Sequence, residues 1–177
     1  MQALAQALPA RNLAISVGGA TLLQSGSATA SSGVGDIAIA FGANSNATAT
    51  GGFLNSARAF GTNAVASAGG GNTDTATALG NNSTAQAVNG TSNFADALGA
   101  GSTASCGGTS PTALGSFTVA SVMGMNSTAH ASGNPTVFGT GGLAVVLGNT
   151  LDADATGNVV INIVTPLFNL VASPFLA

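Results

Sequence analysis

The side chains able to do acid–base, nucleophilic or metal chemistry are few: His130, Cys106 and the five carboxylates Asp36, Asp74, Asp96, Asp152 and Asp154, with Arg11 and Arg58 as the cations. A general acid or base needs a partner that sets its proton affinity, and no acid or nucleophile stands in a pattern around His130. Asp152 and Asp154 flank Ala153 and could share a cation with other oxygens, but two carboxylates on an outer face are ordinarily just solvated. One cysteine excludes an intramolecular disulfide framework. Four Asn-x-Ser/Thr triplets, at Asn46, Asn82, Asn89 and Asn126, match the glycosylation acceptor, and chance matches are expected in so Asn-, Ser- and Thr-rich a chain. These residues assemble into no catalytic, cofactor or metal site, so the expectation is a protein that is not an enzyme and carries no cofactor.

The composition agrees with that expectation. The 177 residues are 45% hydrophobic and 4% charged, with 26 Gly, no Trp, no Tyr and a net charge of -3. Two arginines cannot track a phosphate backbone, which argues against nucleic acid as a partner. Disordered chains combine low hydrophobicity with high charge, whereas the mean hydropathy here is +0.46. A low charge density also favours association over a dispersed monomer. No secretory signal with a basic start and a long apolar run is recognisable.

The elements that must position these residues announce themselves as a repeat. Phe41-Gly42, Phe60-Gly61, Leu79-Gly80 and Leu98-Gly99 recur at a step of 19. Columns of Ala keep the same step: Ala38, Ala57, Ala76 and Ala95, then Ala40, Ala59, Ala78 and Ala97. A second pair follows each Gly, from Ala47 and Ala49 to Ala104 and Cys106, and Asn44, Asn63, Asn82 and Gly101 share a further column. The unit returns at Met123-Gly124 and Leu147-Gly148 after steps of 25 and 24 residues. Both insertions fall between the second Ala pair and the next apolar-Gly pair, hence on one edge. Backwards, Leu22, Ala28 and Ala30 fall in the same register. The Gly69-Gly70-Gly71-Asn72-Thr73-Asp74 stretch is faintly similar to calcium-binding Gly/Asp repeats, but Asp does not return at every step, so structural calcium is not expected.

Alternating Ala and polar residues is the period-two signature of a half-buried strand. A column holding Ile39, Arg58, Thr77 and Asp96 must face solvent, so the flanking Ala residues face in. Thr48, Ser67, Gln86, Ser105 and His130 line the outside of the second strand in the same way, and Cys106, standing for Ala, reads as a small buried hydrophobe. A two-strand unit cannot bury a face alone, but stacked copies can. The expected fold is all-β, a parallel β-solenoid or β-roll of about seven coils and on the order of 34 Å long at ~4.8 Å per coil. Phe41, Phe60, Leu79, Leu98, Met123 and Leu147 form its apolar ladder, facing either the interior or a neighbouring chain, and Gly42, Gly61, Gly80, Gly99, Gly124 and Gly148 serve its turns.

Three segments follow: residues 1–18 as an N-terminal cap, with Met1, Leu4, Ala5 and Leu8 at helical spacing; 19–157 as the repeat domain; and 158–177 as a hydrophobic C-terminal segment. The open ends of a solenoid need covering. The last segment reads either as a final strand and cap or as a strand that pairs with the next subunit, with Val159, Val160, Ile161, Ile163, Val164, Leu167 and Phe168 as assembly candidates. Anchoring to a membrane or cell wall is the third reading, although Pro166 and Pro174 argue against a spanning helix.

The unit A-x-A-Φ-G-x-N-S-x-A-x-A resembles the head repeats of trimeric autotransporter adhesins, the YadA-like family, over about Gly19 to Gly157. The resemblance is confined to the repeat: the family's unit is shorter than 19 residues, and neither a heptad stalk nor an anchor barrel is present in this chain. It implies a β-roll, a cell-surface location, adhesion to host or surface ligands, and homo-oligomers. The leading expectation is therefore an extracellular structural protein that self-assembles into a fibre, filament or adhesive rod. The alternatives are an ice-binding solenoid, for which the Thr48 to His130 column is irregular, and an adhesin head that does not polymerise.

Overall fold

The computed structural model describes residues 11–107, 117–132, 141–156, 160–166 and 169–172. These form an all-β parallel roll of two sheets. Sheet A contains β1 (Leu13–Val17), β2 (Ala20–Ser25), β4 (Ile37–Phe41), β6 (Ser56–Phe60), β8 (Thr75–Leu79), β10 (Phe94–Leu98), β12 (Val119–Met123), β14 (Gly142–Leu147), β16 (Val160–Val164) and β17 (Asn169–Ala172). Sheet B contains β3 (Thr29–Ser32), β5 (Asn46–Thr50), β7 (Val65–Gly69), β9 (Thr84–Val88), β11 (Thr103–Gly107), β13 (Thr128–Ser132) and β15 (Asp152–Thr156). From β2 to β16 the chain alternates between the sheets, so neighbours in space from β4 to β16 in sheet A and throughout sheet B are one coil apart in sequence.

Sheet B is parallel throughout, and sheet A is parallel from β4 to β16. The register keeps identical columns in line: Ala38 pairs with Ala57, Ala57 with Ala76, and Ala76 with Ala95. The two longer steps leave this order intact, because Ala95 pairs with Ala120 and Ala120 with Ala144. Alanine fills the interior from both sides, and Val122 and Val146 are the largest fully buried side chains. Through most coils a methyl group from each sheet makes a thin core with little room for larger side chains, and Val122 and Val146 stand in the Ala78–Ala97 column where the coils lengthen.

The ends depart from the repeat. The first sheet A strand is β1, which runs antiparallel to β4 and makes a hairpin with β2; residues 13–17, assigned to the cap by sequence, thus belong to the sheet. Leu22 lies on β2 and is 65% exposed, outside the ladder column. The first Ala pair is displaced by two residues, with Ala30 opposite Ala47 and Ser32 opposite Ala49. Ala28 is buried beside the first turn instead. Ser32 is held by a 2.8 Å hydroxyl contact to Ser16. At the other end β17 returns antiparallel on β16. Residues 1–10, which include the helically spaced Met1, Leu4, Ala5 and Leu8, lie outside the described residues.

Candidate functional site

The turn from sheet A to sheet B shows why the coils favour Gly-x-Asn-Ser, spelled in full from Gly42, Gly80 and Gly124. Gly42 has φ 125° and Asn44 φ 55°, two angles that most side chains resist. The same column continues through Asn63, Asn82, Gly101, Asn126 and Thr150, all at positive φ. A Cβ on Gly80 would stand 2.5 Å from the Gly99 carbonyl oxygen of the next coil, so glycine is required by space as well as angle. Ser45, Ser83 and Ser102 donate their hydroxyls to the carbonyls of Gly42, Gly80 and Gly99, each at 2.8 Å. Outside the turn, the Asn63 amide donates to Asn82 Oδ1 at 3.1 Å.

The return turn contains a buried ladder that the 19-residue columns of Ala and Gly do not reveal. Asp36, Asn55, Asp74, Asn93 and Thr118 occupy successive coils and are buried. The backbone N–H of Asn55 donates to Asp36, that of Asp74 to Asn55, and that of Asn93 to Asp74, at 2.8, 2.9 and 3.0 Å. The Asn55 amide then donates to the Gly71 carbonyl at 3.0 Å. A carboxylate has nothing to donate, and Asp74 Oδ2 is left without a partner. Burial pushes the Asp74 carboxyl up to about 7, against the hydrogen bonds from Asn93 that favour its charge. The signal is present in the sequence, since Asp returns at the second step, from Asp36 to Asp74, with the isosteric Asn55 between.

The residues considered for chemistry do not converge. His130 Nδ1 lies 3.6 Å from Asp154 Oδ1 on the neighbouring coil, and the two side chains are 46% and 63% exposed. Asp152 is in the next outward column, opposite Thr128. Cys106 is buried in the Ala column, and desolvation raises its thiol to about 12, which leaves no nucleophilic thiolate at neutral pH. Among the described residues no three His, Cys, Asp or Glu cluster as a metal site.

What the structure does bring together is the outward face of sheet A. Phe41, Phe60, Leu79, Leu98, Met123 and Leu147 stack in register as one ladder. It faces outward: Phe41, Leu79 and Met123 are 47%, 50% and 55% exposed. Next to it runs the column Ile39, Arg58, Thr77, Asp96, Ser121, Val145. Burial raises the Asp96 carboxyl, opposed by a hydrogen bond with Thr77 and the charge of Arg58. Sheet B is dressed differently, with Thr84, Thr103 and Thr128 in one outward column and Thr48, Ser67, Gln86, Ser105 and His130 in the next.

Among the C-terminal assembly candidates, Val160, Ile161, Ile163 and Val164 lie on β16, whose two edges are taken by β14 and β17 of the same chain. Val164 is buried, and Asn162 enters the Ala144 column, where its amide donates to the Asp154 carbonyl at 2.9 Å. Both edges of β16 are thus paired within the chain, and β17 stands at the end of sheet A. Val159, Leu167 and Phe168 lie outside the described residues. No helix among the described residues is long and apolar enough to cross a membrane. Set beside known proteins, the chain matches no family model, no curated protein and no solved structure.

Proposed function

We propose that this chain is a non-enzymatic structural subunit, a β-roll that self-assembles into an extracellular fibre or adhesive rod. The observation that carries the reading is the exposed apolar ladder from Phe41 to Leu147 on a continuous sheet, in a chain with 4% charged residues. Large exposed apolar patches mark interaction surfaces, and little charge opposes contact between copies. The repeat-level resemblance to YadA-like heads supports surface display and homo-oligomers. Light scattering and negative-stain microscopy of the purified chain test the proposal: oligomers or filaments support it, and compact monomers at high concentration overturn it.

A row of hydroxyls favours a second reading. Three successive coils carry Thr84, Thr103 and Thr128 in the same outward column, an arrangement of the kind that could order water on an ice surface. Val65 and Asp152 flank that row, and Gln86 and His130 interrupt its neighbour, which ranks ice binding second. Thermal hysteresis of the soluble chain decides it.

A further inference from the structure

Resting on the self-assembly reading, we infer that a second copy of this chain docks face to face on sheet A, with the two rolls antiparallel, about a two-fold axis at Thr77. The only charged residues among the described strands of sheet A are Arg58 and Asp96, on β6 and β10, with Thr77 on β8 between them. Strand spacing is uniform along a sheet, so the two charges stand one coil either side of Thr77.

An axis through Thr77 along the strand direction lays each outward column on itself in reverse coil order. Arg58 of one copy then meets Asp96 of the other, twice, and Thr77 meets Thr77. In the ladder, Leu79 meets Leu79 and Phe60 meets Leu98. Toward the ends the same operation sets Ile15 against Val145 and Leu13 against Leu147, apolar on apolar, with Ile39 on Ser121 and Ser56 on Phe94 as mixed pairs. A two-fold along the roll axis would instead put Arg58 on Arg58 and Asp96 on Asp96, and facing like charges suppress a mode of docking. The face is therefore largely self-complementary when read from both directions, which is the requirement of an isologous interface.

Position along the sheet agrees. Four strands of sheet A lie on one side of β8 (β6, β4, β1, β2) and five on the other (β10, β12, β14, β16, β17). The axis falls next to the centre, and nine strands overlap. At ~4.8 Å per strand and ~3.3 Å per residue this is a face of roughly 700 Å² per copy, near the ~800 Å² per partner of a stable complex. Asp96, whose charge is disfavoured by burial in one chain, gains a facing guanidinium.

Sedimentation equilibrium of wild type, Arg58→Asp, Asp96→Arg and the double reversal tests this. Each single reversal makes all facing charges alike and is expected to weaken dimerisation at least ten-fold, with the double reversal restoring it; circular dichroism checks that each variant keeps its sheets. Phe60→Cys and Leu98→Cys, made separately in a Cys106→Ala background and mixed, are expected to cross-link to one another with a short bismaleimide. Unchanged dimerisation in the single reversals, failure of the double reversal, or absence of the cross-link between positions 60 and 98 overturns the interface. If Arg58→Asp still forms wild-type oligomers, self-assembly stands and this face does not mediate it. If wild type is monomeric throughout, both fall.

Discussion

Strands β8 and β9 belong to the same coil and bury the same residues, Ala76 and Ala78 on one and Ala85 and Ala87 on the other. Their outward positions differ. On β8 the outward residues are Thr75, Thr77 and the half-exposed Leu79, whereas β9 turns out Thr84, Gln86 and the smaller, less exposed Val88. Across the roll, sheet A carries a wide apolar band with one Arg and one Asp, and sheet B carries chiefly hydroxyls and amides, with Val65 and Val88 as apolar members and His130, Asp152 and Asp154 at its last coils. The interior is fixed by the need to stack one coil on the next, so both sheets obey it equally. The exteriors answer to no such constraint, and their divergence points to different surroundings for the two faces.

The strongest test of the shared interior is overpacking. Ala78→Leu on sheet A and Ala85→Leu on sheet B are each expected to cost about 3 kcal/mol, because three added carbons must fit between inward columns made mostly of Ala. Urea unfolding measures both, and a large difference between them would break the symmetry of the core.

Next in size is the turn that joins the faces. Folded Asp74 holds its proton to about pH 7 while its ordinary value is 3.8, so folding takes up a proton between those values. Stability is therefore highest on the acid side and falls as pH rises from about 4 to 7, by up to a few kcal/mol. Asp74→Asn supplies a permanent donor, as at Asn55, and is expected to flatten that slope and raise stability at pH 8 by about 1–3 kcal/mol. Thermal melts from pH 4 to 8 check it; a steepened slope would contradict the assignment.

The two exteriors separate in assembly. Leu79→Asp on the ladder is expected to weaken self-association at least ten-fold, roughly 1.4 kcal/mol, while Ser67→Asp on sheet B leaves it within two-fold. Equal effects in light scattering would dissolve the distinction between faces. The smallest effect belongs to His130→Gln, which removes an exposed pair and is expected to change stability by less than about 0.5 kcal/mol in chemical unfolding.

The inward Ala columns and outward Thr48 to His130 column were legible because period two and the 19-residue step reinforce one another. The first coil was not. Shifting a strand by two residues keeps every inward side chain inward, so Ala28 and Ala30 fit the alternation as well as Ala30 and Ser32 do. The antiparallel strands β1, β2 and β17 repeat nothing and left no periodic trace. The buried ladder from Asp36 to Thr118 escaped for a different reason: Asp and Asn have one shape, and a search for a recurring charge passes over a column that keeps only geometry. The apolar ladder's direction could not be read from Phe41 or Leu79 themselves, since a large apolar side chain suits a core or an interface equally. The structure turns it outward because β4 and β8 run on through Phe41 and Leu79, opposite in parity to the inward Ala40 and Ala78.

Steps of 25 and 24 residues pass through the roll without disturbing the pairing of Ala95 with Ala120 or Ala120 with Ala144. The edge where sheet B returns to sheet A thus takes extra residues while the strands on either side keep their register. For an engineer that edge is a ruled rail: peptides grafted after Thr50, Gly69 or Val88 would stand in single file at ~4.8 Å intervals, a pitch finer than most display scaffolds can set, with cargo order written directly in the gene.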